Sequence, residues 1–213
     1  IDNLCKAVLE IPKASAFTPK IIGKNNKEDF KRRSILLEKK LWLKRPPSKV
    51  SEIPVMGGAA IFLKRENYIK VGGFDENIFL YHEDDDLSLR LKEDIGPLMY
   101  YPKALVSHYR GSSTSKNHNI GALKGFYMGK SRIYSMRKHN IKNYQVKSLF
   151  LAILQILSLE ILFSKRKRSK YLSFFLGVVE GLKEKQKKFI KIIKNYYSYS
   201  LILNMSFFIE YFN

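Results

Sequence analysis

Four adjacent carboxylates, Glu83-Asp84-Asp85-Asp86, constrain this chain more than any other feature. Like charges side by side repel, so the backbone must give them a reason to stay. A helix N-terminus is one such reason, because the macrodipole favours acids in the first turn by about 0.3–1 kcal/mol each. Leu87 and Leu91 then share a helical face, and Gly96 stands where the helix would stop. Two chemical reasons are also open. A carboxylate crowded by others has a raised pKa and serves as a general base near neutral pH. Clustered oxygens can also hold a hard cation.

Helical and extended patterns alternate on both sides of this run. Residues 2–10 predict a helix with Leu4, Val8 and Leu9 on one face and Asp2 or Asn3 as its cap. Residues 16–22 read as a short strand with Pro19 near its start. Residues 27–43 are charged and helix-favouring until Pro46-Pro47. Residues 53–63 read as a buried strand broken by Gly57-Gly58, and 65–71 as a short helix stopped by Gly72-Gly73. A strand or strand pair follows over 97–107, then a polar loop over 108–116 and a basic helix over 121–139. Together these predict an α/β fold.

Net charge is +20, distributed unevenly. Residues 1–50 carry 13 basic and 5 acidic side chains, 51–140 carry 13 and 10, and 141–213 carry 13 and 4. A basic surface attracts phosphate in nucleotides, lipids or nucleic acid. A non-catalytic basic module for membranes or nucleic acid is thus a rival reading. The acidic run in the balanced middle would repel a nucleic-acid backbone, and no RRM, KH or helix-turn-helix pattern is present, so nucleic acid is not an expected partner. Cys5 is the only cysteine, which excludes an intrachain disulfide and fits a reducing compartment. No signal-peptide pattern opens the chain, and the residue at position 1 is Ile.

Past residue 140 the pattern changes. Residues 149–163 are almost all apolar, yet fifteen helical residues rise only about 22 Å, short of a bilayer. A cationic run, Lys165-Arg166-Lys167-Arg168, follows at once, and apolar, aromatic stretches recur at 171–182 and 196–212. Apolar faces beside dense cations suit helices lying in an anionic membrane interface. A helical subdomain with a solvated basic face is the plainer alternative.

Around the acids stand other groups that could do chemistry. Gly57-Gly58 and Gly72-Gly73 allow close approach to a ligand, or simply make turns. His108, Arg110 and Ser112 end a strand and open a loop, a combination suited to a diphosphate, or to nothing more than a structural histidine and a solvated loop.

Five blocks in order carry a resemblance: Gly57-Gly58-Ala59-Ala60, Gly72-Gly73-Phe74-Asp75-Glu76, the aromatics Phe79 and Tyr81, Glu83-Asp84-Asp85-Asp86-Leu87-Ser88-Leu89-Arg90, and Val106-Ser107-His108 with Gly111-Ser112. Their order and spacing resemble the family 2 glycosyltransferases of bacterial polysaccharide synthesis, the rhamnosyltransferase-like branch in particular. The resemblance implies the C-terminal half of a GT-A (Rossmann-like) domain over 1–140, followed by a basic amphipathic helical tail over 141–213. It implies inverting transfer from a nucleotide-sugar donor to a polyprenyl-linked or polysaccharide acceptor at the cytoplasmic face of a bacterial inner membrane. Asp84 would be the general base. Gly57, Gly58, Asp75, Glu76, Glu83 and Asp86 would shape the donor and acceptor sites, Arg90 would pair with nearby carboxylates, and His108, Arg110 and Ser112 would lie near the diphosphate or its metal. A divalent cation (Mg or Mn) is implied for the complete enzyme. Outside the acidic run itself, the D-x-D motif that would hold it is absent from this sequence. The expectation is therefore a chain that keeps the base but lacks the nucleotide-binding half.

Overall fold

The structure, a computed structural model, describes residues 1–109 and 117–184. Arg110, Ser112 and the apolar stretch 196–212 lie outside the described residues. The chain is α/β. Helix α1 (Asp2–Glu10) leads to strand β1 (Ala16–Ile22), then a long irregular segment and strand β2 (Ser51–Ile53). Helices α2 (Arg65–Lys70) and α3 (Glu83–Asp94) precede strand β3 (Leu98–Ser107). Helix α4 (His118–Lys138), α5 (Tyr144–Ile156), the short α6 (Glu160–Phe163) and α7, described over 165–184, follow.

The sheet has the order β1-β3-β2, with β1 parallel and β2 antiparallel to the central β3. Side chains alternate across a strand, so consecutive residues feed opposite cores. Ala16, Leu98 and Tyr100 pack with Ile53, Leu87 and Leu91 between sheet and α3. Phe17, Tyr101 and Ala104 pack with Leu4 and Ala7 of α1 on the other face. Leu91 is fully buried, so Leu91→Ala would cost about 2–5 kcal/mol.

Pro19 lies in the middle of β1, not at its start. It is tolerated because β1 is an edge strand and the register jumps there: Pro19 pairs with Tyr101, but Lys20 pairs with Leu105. In α1, Leu4 and Ala7 are buried while Leu9 is exposed, and neither Asp2 nor Asn3 caps the helix. Asn3 instead donates to the Lys103 carbonyl at 2.8 Å.

Two expected elements are not formed. Residues 27–43 contain only a 3₁₀ turn, Lys39–Leu41. Ser34 is the cause: its Oγ accepts from Leu36 N at 3.1 Å and its carbonyl accepts from Trp42 Nε1 at 3.1 Å, local bonds that compete with a helix. The expected strand over 53–63 stops at Ile53. Pro54 has no N–H, Met56 N donates to Ser88 Oγ at 3.0 Å rather than to a ladder, and only Phe62 rejoins β1, through a bridge to Phe17.

The helices after residue 140 share a core with those before it. Leu36, Ile133 and Met136 bury against Tyr144, Ala152, Phe174 and Val178. The α4–α7 contact brings backbones together. A Cβ on Gly125 would meet the Lys170 carbonyl oxygen at 2.2 Å, one on Gly129 the Phe174 oxygen at 2.3 Å, and one on Gly177 the Phe126 oxygen at 2.0 Å. The four-residue spacing of Gly121, Gly125 and Gly129 puts them on one stripe of α4, a small-residue seam that the reading of motifs around the acids passed over.

Candidate functional site

The acidic run is the first turn of α3, as its sequence predicts. The turn before it is tight: Tyr81 and His82 are both left-handed, with φ of 67° and 70°. Strained backbone of this kind persists only where packing holds it. Here α4 does so. Ser131 Oγ donates to the Leu80 carbonyl at 2.9 Å, and the Phe79 and Tyr127 rings lie 4.5 Å apart.

Successive helical residues diverge by about 100° around the axis, so four adjacent acids point four ways. Each meets a different environment. Glu83 Oε2 is buried without a hydrogen-bond partner, and burial, then neighbouring Asp84, pushes its carboxyl above the usual range. Asp84 receives Lys31 Nζ on Oδ1 at 2.8 Å and Gly58 N on Oδ2 at 2.8 Å. Asp85 is paired by Lys31 at 2.8 Å and by His82 Nδ1 at 3.0 Å. Burial opposes its charge, but those partners hold it below the usual carboxylate range. Asp86 is fully buried and is met by Arg90 Nη2 at 2.6 Å, Lys138 Nζ at 2.8 Å and His139 Nε2 at 2.8 Å. Burial alone would raise its pKa; bonds from His139, Lys138 and Arg90 hold it down to about 2.

The expected site residues therefore separate. Gly57, Gly58, Asp84 and His108 line one cavity of about 290 Å³, closed on its other sides by the end of β1 and by Asp29, Phe30 and Lys31. Glu83 lines a second cavity that Asp84 and Lys31 share with the first. Asp86, expected to shape the site, faces α4 instead and locks α3 to it. Asp75 joins the same lock, receiving Lys138 Nζ at 2.6 Å and Tyr134 OH at 2.9 Å. Asp75 also accepts from Asn77 N and Nδ2, each at 2.9 Å, which orders its own loop. Glu76 is exposed. Arg90 pairs with Asp86 as expected and also donates to the Val71 and Gly73 carbonyls, so it ties α3 to the glycine turn after α2.

The two glycine pairs serve different ends. Gly72 and Gly73 have φ of 78° and 68°, a conformation other residues avoid. Gly57 and Gly58 are not left-handed. Their merit is space: a Cβ on Gly58 would rest 3.4 Å from the Asp84 Cβ, and anything larger would fill the cavity. Ser88 holds this turn in place, accepting from Met56 N and donating to the Asp84 carbonyl at 2.6 Å. Thr18 Oγ1 donates to the Ala60 carbonyl at 3.1 Å.

His108 sits at the C-terminal end of β3, its N donating to the Ile22 carbonyl at 2.9 Å. Its Nδ1 is buried, lacks a hydrogen-bond partner and lies 3.8 Å from Asp29 Oδ2. Among the described residues no three His, Cys, Asp or Glu side chains come together as a metal site. Asp29 and His108 are two candidate ligands, and no third joins them among the described residues.

Sequence reading missed Lys31 and Asp29. Lys31 sits among Lys27, Arg32 and Arg33, where nothing local separates a solvated cation from one that meets Asp84 across 53 positions.

No protein-family model matches the chain. Over 69 residues, 32% of its length, the chain is 39% identical to the N-acetylglucosaminyl-diphospho-decaprenol L-rhamnosyltransferase of two strains of Mycobacterium tuberculosis. That stretch is 22% of the relative, so the chain spans about a fifth of the length of the curated relatives it matches. In part, then, this chain is similar to a glycosyltransferase.

Proposed function

We propose that the chain forms the acceptor-side part of an inverting, nucleotide-sugar-dependent glycosyltransferase of GT-A type, with Asp84 as its general base. The supporting observation is that Asp84 lines two cavities at once. One, with Gly57, Gly58 and His108, suits the donor sugar and its diphosphate. The other, against α4, α5 and α7, suits an acceptor. An inverting transfer needs this division, because the nucleophile must attack opposite the leaving group.

In the proposed step an acceptor hydroxyl oxygen bonds to the anomeric carbon as the bond from that carbon to the diphosphate oxygen breaks. The electron pair leaves with the nucleoside diphosphate, and the hydroxyl proton passes to Asp84 Oδ1. That oxygen is held by Lys31, which must yield it. Asp85, already 2.8 Å from the same Nζ, can retain the lysine. His108 stands where a diphosphate would need a donor, and the small Gly57-Gly58 turn leaves room for the sugar. The divalent cation implied by the resemblance would need a D-x-D motif separate from the acidic run, and outside Asp84-Asp85-Asp86 this sequence contains none.

The acceptor we propose is lipid-linked, after the decaprenol in the relatives' name, and the place of action is the cytoplasmic membrane face. Phe150, Ile153 and Leu157 of α5 and its end are exposed, as are Leu162 and Phe163 of α6, and Lys147 and Lys165–Arg168 flank them. Among the described residues no helix is long and apolar enough to cross a membrane. The test is transfer of labelled sugar by the full-length gene product, from a panel of nucleotide-sugars to a lipid-diphosphate N-acetylglucosamine acceptor. A labelled lipid product is expected. No transfer from any donor would remove the reading.

A further inference from the structure

The cavity on the helix side of Asp84, about 350 Å³, combines three chemistries. Glu83, Asp84 and Asp85 supply the acids. Met128 of α4, Leu151 of α5 and Phe174 of α7 supply an apolar wall. Lys31, Arg33 and Arg132 are its cations, and they are not equivalent. Lys31 is neutralised by Asp84 and Asp85. Arg33 lies over the Trp42 ring at 5.7 Å. Arg132 has no such compensation. Its Nε donates to Ser148 Oγ at 3.0 Å, and no carboxylate pairs with it among the described residues. Burial pushes its pKa down.

A half-buried guanidinium without an anion is costly, and its planar fork matches phosphate oxygens bidentately. Beside it, the apolar wall is built from the inner faces of α5 and α7, whose outer faces are themselves exposed and apolar at Phe150, Ile153, Leu172 and Leu176. A ligand filling this space must present a hydroxyl to Asp84, an anion to Arg132 and hydrocarbon to Leu151 and Phe174.

We propose that this cavity is the lipid-diphosphate subsite of the acceptor, with Arg132 gripping the diphosphate and Met128, Leu151 and Phe174 receiving the first carbons of the lipid. The acceptor's sugar then reaches Asp84 from the helix side. This rests on the transferase reading for the ligand's role, but not for its binding.

Farnesyl diphosphate is the probe, titrated calorimetrically into the full-length protein. Wild type should bind it, with inorganic pyrophosphate and farnesol each at least about tenfold weaker, since each meets only half the site. Arg132→Gln should weaken binding about tenfold or more, and Arg132→Lys less, because a charge-assisted bond is lost in one and partly kept in the other. Gln155→Glu adds a carboxylate to the same wall, should weaken binding several-fold, and decides the question if Arg132→Gln fails to fold. Removing a distant exposed cation, Lys103→Gln, should change nothing. Wild-type affinity in both Arg132→Gln and Gln155→Glu would overturn the proposal, as would pyrophosphate binding as tightly as the lipid form, or no binding at all. Because binding is read without turnover, failure of the transfer assay leaves this result standing. Transfer with an acceptor KM unmoved by Arg132→Gln would reject the subsite alone.

Discussion

Four neighbouring carboxylates meet four different environments and do different jobs. Asp86 is structural: three cations surround a buried carboxylate, and removing its charge strands them. Asp86→Asn should cost about 3–5 kcal/mol in chemical denaturation, the range for breaking a buried ion pair. Its pH dependence follows from the sign of the shift. The folded pKa, about 2, lies below the ordinary 3.8, so the stabilisation is complete above about 4 and is lost as pH falls toward 2. An acid titration followed by circular dichroism should show wild type losing stability in that window and Asp86→Asn losing less. Gly58 tests the opposite kind of role. Gly58→Val adds bulk beside Asp84 and should lower turnover about a hundredfold, as small misplacements in active sites do, while leaving the thermal midpoint nearly unchanged. The acids, the glycine pairs and the Arg90 pairing were legible because each rests on local periodicity or turn chemistry. Lys31 was not, because its partner is distant in sequence and it stands beside other cations, Arg32 and Arg33.

At the scale of elements, strong patterns survived and weak ones yielded to specific bonds. Helix α3 begins at Glu83 and β3 ends at Ser107, as the acids and the apolar run dictate. The helix expected over 27–43 lost to the bonds of Ser34, and the strand expected over 53–63 lost to Pro54 and Ser88. The apolar run 149–163 is two helices, broken at 157–159. The glycine seam between α4 and α7 was written in the spacing of Gly121, Gly125 and Gly129 but needed its partner to be meaningful. Gly177→Val should push the two backbones apart at a cost of about 1–3 kcal/mol or more, lowering Tm by several degrees in a scanning calorimeter. A midpoint equal to wild type would mean the helices are not in backbone contact.

For the whole molecule, the sheet ends and the α3 N-terminus converge on Asp84 from one side, and the α4–α5–α7 layer approaches it from the other. The same helical layer exposes apolar side chains, Phe163 at 87% and Leu157 at 73% among them, next to a cationic run. Co-sedimentation should favour anionic over neutral vesicles, with salt weakening the preference. Equal recovery with both would remove the membrane-surface proposal without touching the catalytic one. What the sequence could not convey is that the tail and the acidic helix build one cavity together, since Leu151 and Phe174 stand about 70 to 90 positions from Glu83 in the sequence yet line the same space. The central claim is that Asp84 takes the proton in sugar transfer. Asp84→Asn keeps the size of the side chain and an acceptor for Gly58 N while removing the base. Turnover of the full-length gene product should fall by about 10²–10⁴, with circular dichroism unchanged. Turnover within a few-fold of wild type in a folded Asp84→Asn protein would contradict the account.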